Sequence, residues 1–310
     1  MSFRDKFPMI SYFIGKRLQV LNTFFFRKNP LKWTLKTYKK RYGIELNLEN
    51  PQSFYEKMNY WKHFKYDPNQ DVLTDKIDVK KYLQDLGYGD LCAKCYFVSD
   101  NIRDLKKWYY QNYTTLQKFV LKTSHSCGDV FIYDNGKITK KNGRKIANIR
   151  KVFKMLKRGL KFNHYYSCFE QNYKNLKPRV YVEEYIDFDQ ETVEYELMCN
   201  YGKIVFSNVV FGRQSNNQIK MFYDDKFCFY AKNFGEPTKE LIDRISKPRE
   251  FDRITKLITA VCKKFPFCRA DFVQTKNKTY FCEFTFVKSG GIDAYQPLEL
   301  NDKFGSLFKL

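Results

Sequence analysis

The sequence predicts an α+β fold, in which antiparallel hairpins and helices are mixed rather than alternating as βαβ units. Three observations carry this. Strand-like runs come in adjacent pairs joined by polar turns, as at residues 119–133 and at 194–210 around Asn200-Tyr201-Gly202-Lys203. Apolar residues at helical spacing fill the intervals, notably around 149–160 and 251–263. The stretch 269–285 reads as a hairpin with carboxylates on one face.

In that hairpin, period-two alternation puts Arg269, Asp271 and Val273 on one side of the first strand, and Phe281, Glu283 and Thr285 on one side of the second. A three-residue turn at Lys276, Asn277 and Lys278 sets Asp271 opposite Glu283 and Arg269 opposite Thr285, whereas a four-residue turn breaks the pairing. Like charges directly across an antiparallel pair repel, so this pair asks for a cation. Mg2+ suits it, because that ion is commonly held by one or two carboxylates plus substrate phosphates. The alternative is a solvent-facing hairpin whose charges alternate without function.

The other elements follow in order. Residues 1–45 interleave Phe7, Ile10, Phe13, Ile14, Leu18, Leu21, Phe24 and Phe25 with Arg4, Lys6, Lys16, Arg17, Arg27, Lys28 and Lys32, the spacing of a basic amphipathic helix. Two readings stand: a foot on an anionic membrane surface, or a helix packed on the domain through its apolar stripe. Ser53, after Asn50-Pro51, is the expected N-cap of a helix through Phe54, Lys57, Met58 and Trp61. Asp67-Pro68-Asn69 ends it, and a second helix is expected over 71–86, stopped by Gly87 and Gly89. Strands at 119–122 and 130–133 flank a polar loop, with a turn at Asp134-Asn135-Gly136. A basic helix through Ile149, Val152, Phe153, Leu156 and Leu160 precedes a strand over 179–186. These elements group into regions 1–45, 46–115, 116–190 and 191–310.

A chain of 310 residues buries a substantial core and accommodates about two domains. With 56 Lys and Arg against 34 Asp and Glu, the net charge of +22 implies an anionic partner: a phosphorylated substrate, a polyanionic polymer, a membrane surface or nucleic acid. Charge alone does not choose among them. Nine cysteines, mostly in strand-like apolar runs such as Phe227-Cys228-Phe229 and Phe281-Cys282-Glu283, read as reduced core residues of a cytosolic protein. Cys92-Ala93-Lys94-Cys95 lacks the second pair a zinc site needs. No apolar run is long enough for a membrane span, and Lys16, Arg17 and Arg27 interrupt any secretory signal.

Lys122 ends a strand and precedes Thr123-Ser124-His125-Ser126-Cys127-Gly128-Asp129, small and polar residues whose backbone N–H groups can fold over phosphate oxygens. An ordinary hairpin loop is the alternative. Glu183-Glu184-Tyr185-Ile186 suits an adenine hinge, with a surface strand end as the alternative. His125 reads as structural or phosphate-contacting ahead of general-base catalysis.

Taken together and in order, the strand ending at Lys122 with its His-Ser-Cys-Gly loop, Lys177-Pro-Arg-Val-Tyr-Val-Glu-Glu-Tyr-Ile186, Phe265-Pro-Phe-Cys-Arg-Ala-Asp-Phe272 and Tyr280-Phe-Cys-Glu-Phe-Thr-Phe286 resemble the ATP-grasp superfamily. More narrowly, the chain is similar to the TupA-like (teichuronopeptide biosynthesis) ATP-grasp family. The resemblance extends from about Leu46, through Thr74-Asp75-Lys76, to Leu310. It implies two α+β subdomains gripping ATP, preceded by the basic helical N-terminal region. Lys122 would bind the phosphates and act in catalysis, Ser126 and Gly128 would belong to the covering loop, and Glu183, Glu184, Tyr185 and Ile186 would form the hinge, with Glu194 also at the cofactor. Asp271 and Glu283 would hold Mg2+, with Thr285 where many relatives place Asn, and Arg269 would stabilise the transferred phosphoryl group. Lys288, Ser289 and Gly290 are candidates for the substrate loop. Two departures stand out: Cys127 and Asp129 in the glycine loop, and Glu196 at what looks like a lysine position, which asks for a substitute cation such as Arg213.

The activity implied is ATP-dependent carboxylate–amine ligation through an acyl phosphate, joining an amino acid or amine to a uronic acid or other sugar of a bacterial surface polysaccharide. Its partners would be ATP, Mg2+, an anionic sugar or glycan, an amine and, through residues 1–45, the inner face of the membrane; no specific nucleic acid is expected. Two competitors are a glycosyltransferase using Asp187-Phe188-Asp189 or Tyr223-Asp224-Asp225, and a basic nucleic-acid-binding protein without a recognition module.

Overall fold

The computed structural model describes residues 21, 23–212, 218–295 and 297–310. The first 20 residues of the expected basic helix, and Arg213, lie outside them. In chain order the helices are α1 (Pro30–Tyr42), α2 (Phe54–Phe64), α3 (Asn69–Thr74), α4 (Asp78–Asp85), α5 (Ile102–Leu116), α6 (Ile149–Gly159), α7 (Tyr165–Cys168), α8 (Lys239–Arg244), α9 (Phe251–Cys262) and α10 (Glu299–Ser306). The strands are β1 (Cys95–Ser99), β2 (Lys118–Thr123), β3 (Val130–Asp134), β4 (Lys137–Lys140), β5 (Val180–Glu183), β6 (Val193–Asn200), β7 (Lys203–Phe211), β8 (Ile219–Asp224), β9 (Phe229–Phe234), β10 (Cys268–Gln274) and β11 (Thr279–Thr285). The α+β class expected from the sequence is the one observed.

Two compact units divide the chain. Of the described residues, the first comprises those up to Trp33, Asp75–Val79 and Ala93–Ile186; the second comprises those in Thr34–Thr74, Lys80–Cys92 and Asp187–Leu310.

The first unit is a five-stranded antiparallel sheet in the order β1-β5-β2-β3-β4. Phe119 and Leu121 of β2 and Val180 and Val182 of β5 point to one face, where they share a buried core with Leu105 and Tyr109 of α5 and Val152, Phe153 and Leu156 of α6. Alternation sends Lys122 and Glu183 to the opposite face. Asn135 and Gly136 turn β3 into β4 in the left-handed backbone region that a two-residue hairpin requires.

The second unit is a six-stranded antiparallel sheet in the order β11-β10-β6-β7-β8-β9. One face packs α9 against β6 and β7. The other face changes character along the strands. At one end Met198 of β6, Phe206 of β7 and Phe222 of β8 meet Phe54, Tyr55 and Met58 of α2 and Phe304 of α10, with Phe206 and Phe304 stacked at 4.1 Å. Two residues away along each of the same strands stand Glu196, Asn208 and Lys220, with Asn208 directly opposite both Glu196 and Phe222.

Ser53 caps α2 as expected, in a box completed by Glu56, whose carboxylate accepts the Ser53 N–H at 2.9 Å. The single helix expected over 71–86 is two. Asp75 breaks it, because its Oδ1 accepts the N–H groups of Ile77 (2.8 Å) and Asp78 (3.1 Å) and thereby starts α4. The cysteines also depart from expectation. All nine are free thiols, but only Cys199, Cys262 and Cys268 are buried, while Cys95, Cys127, Cys228 and Cys282 are exposed. Cys228 sits in the β8–β9 turn and Cys282 at a bulge, neither of which alternation in the sequence distinguishes from a strand interior.

In the second unit His63 lies with Nε2 3.0 Å from Thr34 Oγ1. Burial, aided by the Lys62 charge, pulls its imidazolium down to about 3. The unfolded chain, with an ordinary imidazole near 6.5, therefore binds more protons between pH 3 and 6.5, and stability falls as pH drops below about 6.5. From pH 7 to pH 5 the loss is expected to reach about 2 kcal/mol. His63→Gln should remove that part of the acid sensitivity in urea titrations at the two pH values; equal slopes for both proteins would refute it.

Candidate functional site

In the second unit, the hairpin β10–β11 sets Arg269 opposite Thr285 and Asp271 opposite Glu283. The route to that register differs from the three-residue turn. The loop is four residues, 275–278, closed by the Thr275 N–H on the Lys278 carbonyl at 2.9 Å. A bulge at Cys282 then resets the pairing, so that Phe272 faces Phe281 while Asp271 still faces Glu283. The bulge also corrects one expectation: Phe281 turns to the face of Phe272 and Phe284, leaving Glu283 and Thr285 on the charged face.

On its other side Asp271 pairs with Glu196 of β6, so three carboxylates stand in line across β6, β10 and β11. Glu194 continues this face one pleat beyond Glu196. Arg269 forks onto Asp271 through two hydrogen bonds, Nε to Oδ1 at 2.7 Å and Nη2 to Oδ2 at 2.5 Å, and its Nη2 lies 3.5 Å from Glu283 Oε1. Burial nevertheless holds the Asp271 carboxyl up at about 7; Arg269 opposes that shift, and Glu196 and Glu283 add to it.

Glu196 has a cation of its own. Lys220 of β8 donates to its Oε2 at 2.6 Å, and Asn208 of β7 donates to the same oxygen at 3.0 Å. Sequence reasoning missed both residues. The available signal was the alternation Lys220-Phe222 and Phe206-Asn208, which places them on the strands' core-facing side.

Lys288, just past β11, donates to the Tyr55 hydroxyl at 3.1 Å and lies 4.2 Å from the centroid of the Tyr295 ring. Burial, then the Lys220 charge, brings its ammonium down to about 7. Ser289 and Gly290 adopt left-handed backbone, and the turn is clamped from α2: Lys62 donates to the Gly290 carbonyl (2.7 Å) and Asn59 to that of Gly291 (2.8 Å).

In the first unit, Lys122 and Glu183 form an ion pair on the sheet face opposite the helices. Glu184 is tied to Lys94, its N–H donating to the Lys94 carbonyl (2.9 Å) and its carboxylate accepting the Lys94 N–H (3.0 Å). Tyr185 lies under the Lys118 ammonium at 4.1 Å, and Ile186 is half-buried. In the loop, Ser126 is buried and its hydroxyl donates to Asp129 Oδ2 (3.1 Å), so its side chain is committed within the protein. Asp129 is buried as well, accepting Thr123 Oγ1 at 3.3 Å and packing where a Cβ on Gly159 would lie 2.7 Å from its Oδ2. Its charge is thus turned into the unit. His125 is buried with Nε2 3.2 Å from the Gly159 carbonyl, a structural placement. Cys127 and Gly128, the latter at φ +90°, form the exposed tip.

Among the described residues no group of three or more His, Cys, Asp or Glu side chains forms a ready-made metal cage. Two carboxylates sharing an ion with phosphate oxygens require none. The in-line row also fits an added cation, since an ion beside Glu196, Asp271 and Glu283 would favour the ionised form of Asp271, which burial and the two neighbouring carboxylates oppose.

Residues 56–309 match the family described as TupA-like ATPgrasp. No curated protein matches the chain. Among solved structures it is similar to D-alanine–D-alanine ligase from Helicobacter pylori, at 15% identity over 77% of this chain and 62% of that one, with TM-score 0.39. It is similar to D-alanine–D-alanine ligase from Bacillus anthracis complexed with ATP, at 14% identity over 76% and 61%, with TM-score 0.42. It is also similar to Cdc123 from Schizosaccharomyces pombe, at 13% identity over 76% and 93%, with TM-score 0.41. The chain spans about three fifths of the length of the two ligases. The family match takes in Lys122 and its loop, the strand end at Glu183 and the whole charged face from β6 to β11, and the chain belongs to the TupA-like ATP-grasp family.

Proposed function

We propose that the protein is an ATP-dependent carboxylate–amine ligase that works through an acyl phosphate. The observation that carries this reading is the row Glu196–Asp271–Glu283 with Arg269 forked into it. Asp271 and Glu283 would hold Mg2+, with the Thr285 hydroxyl as a third oxygen. The bound ion would neutralise phosphate oxygens as charge develops on them. Arg269, fixed on the same face, would stabilise the transferred phosphoryl group. Lys122 and the backbone of Ser126 and Gly128 would bind the phosphates, and residues 183–186 would read the adenine edge, with Glu194 also at the cofactor. Lys220 supplies from β8 the positive charge that Glu196 removes from β6, a role for which the sequence suggested Arg213.

In the reaction a substrate carboxylate oxygen attacks the γ-phosphorus and ADP leaves. An amine nitrogen then attacks the acyl carbon, phosphate leaves, and the nitrogen loses a proton to give the amide. Lys288, Ser289 and Gly290, held by α2, would line the substrate side. The resemblance to the teichuronopeptide-biosynthesis family, together with the net charge of +22, supports an anionic sugar or glycan of a surface polysaccharide as one substrate. Phe24 and Phe25, the latter 84% exposed, stand beside Arg27 and Lys28 and support peripheral contact with an anionic membrane. Among the described residues no helix is long and apolar enough to cross one. Glycosyl transfer is less well supported, because Asp189 and Asp224 are spent on local turns, accepting from Thr192 Oγ1 (2.7 Å) and from the Lys226 N–H (2.9 Å).

The test is a thermal-shift titration. MgATP at a hundred times its Kd should stabilise the protein by about 2.7 kcal/mol, and Asp271→Asn or Glu283→Gln should lose the Mg2+-dependent part. Stabilisation by a uridine-diphosphate sugar but not by ATP, or variants that respond to MgATP like the parent, would reject the reading.

A further inference from the structure

The loop that follows Lys122 is fastened from behind almost residue by residue. Ser124 is fully buried, and its hydroxyl donates to Asp75 Oδ2 at 2.8 Å. Its N–H donates to the Arg179 carbonyl at 2.9 Å, and its carbonyl accepts the Lys76 N–H at 3.3 Å. The Ser126 carbonyl accepts Lys76 Nζ at 3.2 Å. Arg179, immediately before β5, donates through Nη2 to Asp75 Oδ1 and lies equally close to Asp78 Oδ2, both at 2.7 Å. Asp75 is itself 1% exposed and takes four donors: Ile77, Asp78, Arg179 and Ser124. One carboxylate therefore joins the turn before α4, the base of β5 and the first residue of the loop. An ordinary two-strand connection needs no such hub, and a buried carboxylate is costly unless its partners are complete.

We propose that Asp75, acting through Ser124 and Arg179, is the positioning residue that keeps the Ser124–Gly128 loop in its phosphate-receiving shape, leaving only the Cys127–Gly128 tip to adjust. This rests on the reading of that loop as the phosphate cover. Asp75, 1% exposed and with its carboxylate taken up by these four donors, would act through the loop and not on the nucleotide itself. Its contribution is that the backbone N–H groups of the loop are arranged before the phosphates arrive, which spares an ordering cost at binding.

Ser124→Ala removes the loop's side-chain link while leaving the Asp75–Arg179 pair in place. Two measurements on the full chain test the proposal: affinities for ATP and AMP with Mg2+, by displacement of a fluorescent adenine nucleotide, and hydrogen exchange at the amides of residues 125–128. A single lost hydrogen bond of ordinary strength predicts roughly fivefold weaker ATP binding, with AMP changed by less than about twofold because it lacks the outer phosphates. Exchange at the loop should accelerate by roughly the same factor, with β2 and β3 unaffected. Tyr66→Phe, which deletes a 2.6 Å side-chain hydrogen bond to Asp71 in the second unit, is the matched control and should alter neither reading. Unchanged loop exchange would overturn the proposal, and so would equal weakening of ATP and AMP, which marks general loosening. Faster loop exchange in a protein whose parent binds no ATP would instead retain the brace and overturn the ligase reading.

Discussion

Replacing Lys220 with methionine is expected to lower the unfolding midpoint by on the order of 10 °C. Glu196, 5% exposed at the side chain, would keep the Asn208 amide as a donor but lose the Lys220 ammonium, while standing beside Asp271. Removing one partner of such a pair costs about 3–5 kcal/mol, because the remaining charge is stranded in a poorly solvated site. A kilocalorie moves the midpoint of a unit the size of the second one by roughly 2–4 °C. The companion variant carries Glu196→Gln as well. It removes the stranded charge and should recover most of the loss, since a neutral amide can still accept from Asn208. Scanning calorimetry on the parent, single and double variants decides the matter. A single variant within about 2 °C of the parent, or a double variant no better than the single, would mean that Lys220 does not neutralise Glu196.

Gly305→Ala should cost about 3 kcal/mol by overpacking, although alanine is the better helix former by about 1 kcal/mol. A Cβ at 305 would lie 2.3 Å from the Gln52 carbonyl oxygen, 2.7 Å from the Phe54 nitrogen and 2.8 Å from the Ser53 carbonyl carbon. All three are backbone atoms at the capped start of α2, so no side chain can swing aside. Relief requires α10 to withdraw, and that opens the Phe206–Phe304 stack and the 5.2 Å contact of Phe54 with Phe308. It also strains Lys57, whose ammonium donates to the Gly305 carbonyl (3.0 Å) and the Phe308 carbonyl (2.7 Å). Ser306→Ala, at the exposed neighbouring position, should change stability by less than about 0.5 kcal/mol. Denaturant melts of the two variants make the comparison; similar midpoints would show that the helices can separate without loss.

What the sequence made legible was local. Period-two alternation gave the facing of Asp271 and Glu283, and the Ser53 cap with Glu56 marked the start of α2, because both are settled by neighbours a few residues away. The four-residue loop and the Cys282 bulge were not readable, since each shifts the register and the two shifts cancel at Asp271. Asp75 looked like an interior residue of one long helix; the partners that make it a break, Ser124 and Arg179, are 49 and 104 positions distant. Asp129 looked like an unfavourable charge at the phosphates. Its inward turn depends on Gly159, whose missing side chain leaves the space its carboxylate occupies. Lys220 lay hidden for the same reason: its partner Glu196 is two strands away.

The second sheet's shared face, aromatic at one end and charged at the other, separates two kinds of selection. Residues 198, 206, 222 and 267 answer to the helices laid over them, and their replacement is punished by unfolding. Residues 194, 196, 208, 220, 271 and 283 answer to polarity and charge balance, and at the Glu196–Lys220 pair a compensating exchange at both positions should satisfy that demand. A sheet organised in this way would be free to vary its polar residues while keeping its fold, because the side chains that seat the helices are not the ones that carry the charge.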